Sequence, residues 1–232
     1  MPPESNAQIK IRYILEFDDS EKEIFDITLD KLTGKLVTES LEKAPDWARL
    51  EFEQCSNCPL ESEDVDYCPA AISLKEIAKR VGSVLSHSKV NLVVIFDERW
   101  VGKRTTSQEV ISSLMGLHIA TSGCPRTDYL RPMARFHLPL ASSDETLVRT
   151  IGSYYLSQYF KFRLSQSFDI ELSGLADLYA EMQKVNSSIA KRLRASGEFT
   201  EINSLTILDT FAQGIPLQIE DNLDDIESLF ET

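Results

Sequence analysis

The 232-residue chain has no apolar run of about 18 residues, the length a membrane-spanning helix needs. Its start, Met1-Pro2-Pro3-Glu4-Ser5-Asn6, lacks the basic and apolar regions of a secretory signal, so the sequence predicts a cytoplasmic protein without membrane association. Glycine is sparse, at nine residues, and none belongs to a phosphate-cradling loop with a Walker lysine. H-E-x-x-H and G-x-S-x-G are missing too, which removes the familiar signatures of zinc proteases and serine hydrolases. Positive charge is in deficit: 24 Lys and Arg against 37 Asp and Glu leave −13, which repels phosphate backbones and makes nucleic acid an unfavourable partner. Four cysteines are far too few for a disulfide scaffold of this length. With 42% apolar residues and few Gly and Pro, the chain is composed to bury a core.

The pattern predicts an α+β fold. Ile9, Ile11, Tyr13, Leu15 and Phe17 alternate with mostly polar residues, and after Asp18-Asp19-Ser20 the alternation resumes at Phe25, Ile27 and Leu29, as in a β-hairpin. Leu32 to Val37 predicts a turn and a short third strand. Ser73 with Glu76 forms the capping-box pattern of a helix running to about Leu85. Val90, Leu92, Val94 and Phe96 form another strand, and Asp97-Glu98-Arg99 turns into a returning one. Apolar spacing from about Thr106 predicts a helix ending at Gly123. Beyond Pro139 the spacing predicts helices near 143 to 165, 173 to 195, 199 to 212 and 220 to 231. The expected organisation is an antiparallel sheet with helices and a cysteine-bearing loop over residues 1–140, with a helical part over 141–232 packed on it. The aromatic stripe Tyr154, Tyr155, Tyr159, Phe160 and Phe162 is expected in the core.

Cys55-Ser56-Asn57-Cys58, Cys68 and the distant Cys124 are the candidate metal ligands. A C-x-x-C knuckle presents two thiolates from one turn, and ligands from further along the chain close loops, so binding contributes to folding. Cys58, Cys68 and Cys124 each precede proline, which biases them toward extended or turn geometry. One knuckle plus two single cysteines is a weaker pattern than the paired knuckles of a zinc ribbon. Zinc stands first and an iron–sulfur cluster second, with redox-active thiols and unconnected buried cysteines as further readings.

Around Cys124 the charge reverses. Between Arg99 and Ala141 six cations (Arg99, Lys103, Arg104, Arg126, Arg131 and Arg135) face two carboxylates (Glu109 and Asp128), a local balance of +4. Cations gathered in one cleft would lower the Cys124 pKa, and Arg104, Arg131 and Arg135 are the candidates to receive a small anion or an acidic protein partner. The competing expectation is internal pairing with this chain's own carboxylates, including the acidic stretch from Glu220 to Glu231. A Cys124 nucleophile with His137 as base is the thiol-enzyme or redox-sensor alternative. Cys124 and Arg131 are one residue too far apart for the C-x5-R loop of cysteine phosphatases.

Pro45-Asp46-Trp47, Gln54-Cys55-Ser56-Asn57-Cys58-Pro59-Leu60, Cys68-Pro69, Arg104-Thr105-Thr106, Ser113 to Leu117, Thr121 to Pro125 and Leu130 to Pro139 resemble an uncharacterised bacterial domain-of-unknown-function family over nearly the whole chain. The resemblance implies that the four cysteines and the Leu130–Pro139 stretch are characteristic segments, and it brings no activity with it. The reading is a metal-binding protein acting as an interaction or regulatory module, more a binding protein than an enzyme.

Overall fold

The computed structural model describes residues 7–37, 44–81, 88–197, 223 and 227–230. Two antiparallel strands, β1 (Gln8–Phe17) and β2 (Lys22–Asp30), pair with Tyr13 opposite Phe25 and Ile11 opposite Ile27. On the other side of β1 runs β3 (Lys89–Phe96), with Tyr13 opposite Val94, and β4 (Arg99–Thr106) closes that edge, giving the order β2-β1-β3-β4. Strict alternation sends Ile9, Ile11, Tyr13, Leu15, Ile27, Leu29, Val90, Leu92 and Val94 to one buried face. The expected third strand is reduced to a single Leu29–Leu36 bridge. Asp30 Oδ1 accepts from the Thr33 N–H at 2.7 Å, and Gly34 at φ +68 carries the chain round before it can extend.

The turn at Asp46–Ala48 leads through the cysteine loop into α1 (Pro69–Ser73) and α2 (Lys75–Val81). Ser73 does not cap the second helix, whose expected end near Leu85 lies outside the described residues. Its buried hydroxyl donates to the Ala70 carbonyl at 2.8 Å, so it ends α1 instead of starting the next helix. Directly after β4, α3 (Ser107–Thr121) opens with a reciprocal capping box between Thr106 and Glu109 and buries Val110, Ile111, Leu114, Met115, Leu117 and Ile119. Gly123, at φ +86, then turns the chain away.

Three further helices follow: α4 (Arg131–Arg135), α5 (Ser143–Arg163) and α6 (Ser173–Ser196). Ser142 and Glu145 form a second capping box at the start of α5. Leu175, Tyr179, Met182, Val185, Ile189 and Leu193 place the buried stripe of α6 at steps of three and four, and α6 packs on α1 and on the Asp46–Ala48 turn. The helices expected at 199 to 212 and 220 to 231 lie outside the described residues, apart from Leu223 and Glu227–Phe230, as does most of the acidic stretch. Among the described residues no helix is long and apolar enough to cross a membrane.

The aromatic stripe departs from expectation. Tyr154 is buried, but Tyr155, Tyr159, Phe160 and Phe162 are 39 to 57% exposed. One helix face cannot bury adjacent pairs such as 154/155 and 159/160, and the buried face of α5 runs instead through Leu147, Thr150, Tyr154 and Gln158. Leu114→Ala, at the centre of α3, is expected to destabilise the fold by about 2–5 kcal/mol in urea unfolding. Tyr159→Ser on the exposed side is expected to change stability by no more than about 0.5 kcal/mol.

Candidate functional site

The Cys55–Cys58 segment folds into one turn, with the Cys58 N–H donating to the Cys55 carbonyl at 3.0 Å. Two bonds latch this turn to α6: Asn57 Nδ2 donates to Glu181 Oε2 at 2.7 Å and to the Glu181 carbonyl at 3.1 Å. Beside it, the Ser188 hydroxyl donates to the Glu53 carbonyl. Cys68 caps α1, with Pro69 at the first helical position where no N–H is needed, and its own N–H donates to the Ala48 carbonyl at 2.9 Å. Cys124 follows Gly123 in a tight loop in which its carbonyl accepts from the Thr127 N–H at 3.0 Å. Arg126 bolts this loop to the knuckle, Nε donating to the Asn57 carbonyl at 2.6 Å and Nη1 lying 3.9 Å from Glu181 Oε2. Three separate segments are thereby fastened around one place.

The thiols share one electrostatic neighbourhood. Burial pushes the Cys124 thiol up to about 11; hydrogen bonding from the Arg126 backbone pulls the other way, and Cys68, Cys55 and Cys58 each push it further up. Burial likewise raises Cys55, opposed by a hydrogen bond from Ser188 and by the charge of Arg192 and reinforced by Cys68 and Cys58. The expectation that basic neighbours would lower the Cys124 pKa is therefore overturned, because burial dominates and the charges that act on the thiol are those of the other cysteines. All four are free thiols. Among the described residues no group of three or more His, Cys, Asp or Glu side chains is drawn in to metal-holding spacing.

Beside the thiols lies a buried cation. Arg192 is 1% exposed; Nη1 donates to the carbonyls of Trp47 at 3.0 Å and Arg49 at 2.6 Å, and Nη2 to that of Leu50 at 2.9 Å. Its Nε is buried with no partner, and among the described residues no carboxylate pairs with it. An interior guanidinium held only by neutral carbonyls pays a desolvation cost of several kcal/mol with no anion to offset it.

The expected anion-binding arginines are engaged separately. Arg104 Nη2 lies 2.9 Å from Asp18 Oδ1, Arg131 Nη2 lies 2.9 Å from Asp128 Oδ2, and Arg135 stacks over the Phe136 ring at 5.2 Å. The arginine that meets the cysteine knuckle is Arg126, one of the six cations of the basic segment but not one of the three anion-binding candidates. Asn57, Glu181 and Arg192 also went unrecognised. For Arg192 a signal exists, since it falls three residues after Ile189 on the apolar stripe of α6, where a charge has no business without a buried role. No hydrogen bond joins Cys124 to His137. The His137 ring instead meets the hydroxyl of Tyr13, which also lies 3.1 Å from Ser113 Oγ.

His137 and His118 are both held neutral. Burial lowers His137 to about 3, with Arg149 adding repulsion, and lowers His118 to about 4 despite its 2.7 Å bond to the Ser73 carbonyl. Unfolded, each takes up a proton at its ordinary 6.5, so the unfolded chain binds protons that the fold refuses. Their contribution to stability is complete above pH 6.5 and falls as the pH drops toward 4, by up to about 1.4 kcal/mol per pH unit for each. Urea midpoints between pH 7 and 4.5 are expected to show this slope, reduced by half in His118→Gln; a flat profile would show that the two rings are not buried neutral.

No curated protein and no solved structure matches the chain. One family model does, over residues 11–231, spanning the strands, the four cysteines and α3 to α6. The chain belongs to that family, the Domain of unknown function (DUF6901).

Proposed function

We propose that the protein is a metal-binding module in which Cys55, Cys58, Cys68 and Cys124 hold one zinc ion as thiolates. What supports this reading is that the three segments bearing the four thiols are tied to one another by hydrogen bonds and that the thiols influence one another's titration; binding an ion would draw the sulfurs the rest of the way in. Cys55 and Cys124, whose thiols burial pushes up, are poor free nucleophiles at neutral pH, whereas a divalent cation deprotonates its cysteine ligands outright. Four thiolates around Zn²⁺ leave a charge of −2. The Arg192 guanidinium, the Ser188 hydroxyl and the Arg126 backbone N–H are the groups that favour negative charge on sulfur there. Four protein ligands also close the tetrahedron, which makes the site structural. Its task is to tie the cysteine loop to the end of α3. Such a scaffold suits an interaction module, and the exposed aromatic side of α5 gives it an apolar face for a protein partner.

Protein purified without chelator is expected to carry about one zinc per chain, with the metal lost and the melting temperature lowered by more than about 5 °C in Cys58→Ser. Iron with charge-transfer colour moves the assignment to an iron–sulfur cluster on the same four residues. Metal-free protein whose melting temperature is unchanged by Cys58→Ser contradicts the reading and promotes thiol chemistry.

A further inference from the structure

A second site lies on the other side of α3. A cavity of about 400 Å³, within the size range of small-molecule pockets, opens between α3, α4 and the start of α5, and none of the four cysteines lines it. Its wall is mostly apolar, with Leu117, Leu130, Met133 and Leu140 among the lining side chains. Two cations reach it, Arg149 and Lys103. In a chain of charge −13 a spare cation is the exception, yet neither forms an ion pair among the described residues. Arg149 is half-buried, and both of its hydrogen bonds among the described residues use Nη2, to the Met133 carbonyl at 2.8 Å and the Phe136 carbonyl at 3.0 Å, which leaves Nη1 and Nε without a partner among those residues. Glu145 lies near enough to affect its charge, but Glu145 Oε2 is committed to the Ser142 N–H at 2.8 Å. The one carboxylate on the cavity wall, Glu109, is likewise committed, to the Thr105 hydroxyl and the α3 capping box.

The polar end of the wall is built as well. Tyr13, fully buried in the sheet, links Ser113 on α3 to His137 through its hydroxyl. A hydroxyl has one proton to give: when Tyr13 donates it to His137 Nε2 and accepts from Ser113, the neutral imidazole carries its own proton on Nδ1 as a further donor. A guanidinium with two unused donor nitrogens and an imidazole N–H thus stand at one end of an apolar chamber.

We propose that this cavity binds a small monocarboxylate with an apolar body, the carboxylate meeting Arg149 and His137 and the hydrocarbon lying along α3. A carboxylate suits the planar fork of an arginine, and the chamber has room for an aliphatic chain or a single ring beyond it. Lys103 at the exposed edge draws the anion in.

Octanoate is the probe, titrated into the full chain by calorimetry and followed in amide spectra, with octanol and acetate as controls. Expected are saturable one-to-one binding of octanoate, shifts at Ser113, Gly116 and His137, and binding at least about tenfold weaker for octanol, which lacks the charge, and for acetate, which lacks the apolar body. Arg149→Gln is expected to weaken octanoate by about tenfold or more, and Arg149→Lys by less. Should Arg149→Gln fail to fold, Ala141→Phe, which fills the cavity from its wall, must abolish binding. Octanol binding as tightly as octanoate, binding indifferent to the folded Arg149 and Ala141 variants, or no saturable octanoate binding would each overturn the proposal.

Discussion

One guanidinium fixes the geometry on which the cysteine cluster depends. Arg192 reaches from α6 into the interior and holds the carbonyls of Trp47, Arg49 and Leu50, so the chain leading into the knuckle is threaded onto a single planar fork. Arg192 donates to the Trp47 and Leu50 carbonyls and shares the Arg49 carbonyl with the Phe52 N–H, which helps an irregular segment run inside the protein. Among the described residues no carboxylate pairs with the cation, and an unpaired buried charge is costly. Cys55, whose thiol feels the Arg192 charge, is able as a thiolate to become that balance.

The sheet and α3 serve as a platform with two working sides. Tyr13 and its neighbours on β1 bury the underside of α3, and the capping box at Thr106 sets where the helix begins directly after β4. At the far end Gly123 turns the chain so that Cys124 meets the knuckle, and Arg126 completes the join. Along the flank of the same helix, Ser113, Gly116 and Leu117 face the cavity. Metal and carboxylate, as proposed, would occupy the C-terminal end and the flank of one element.

Much of this was legible in the residues. Period-two alternation marked β1, β2 and β3, and the residues it singled out, such as Ile9, Ile11, Tyr13, Ile27, Val90 and Leu92, form the buried face. The cysteines announced themselves by spacing, and Gly123 marked the end of α3. What escaped was of two kinds, a local alternative for the same residues and partners distant in sequence. Ser73 reads as a cap because Glu76 follows at the right interval, and only the Ala70 carbonyl, reached by its hydroxyl, shows that it closes a helix instead. The aromatics of α5 were misjudged because residue type was weighed above helical phase, although phase forbids neighbours such as Tyr159 and Phe160 from sharing a buried stripe. Of the two expectations for the basic segment, a shared anion cleft or internal pairing, Arg104 and Arg131 show pairing, with Asp18 and Asp128, while Arg135 stacks on Phe136. The Tyr13–Ser113–His137 chain joins residues about a hundred positions apart and has no local signature at all.

The claim at the centre of this account is that the four sulfurs share one ion, and X-ray absorption at the metal edge reads that directly. On protein purified without chelator the account predicts a zinc edge whose first shell is four sulfurs at about 2.3 Å, with no nitrogen or oxygen neighbour. A first shell of nitrogen and oxygen, or protein carrying no metal at all, would contradict it.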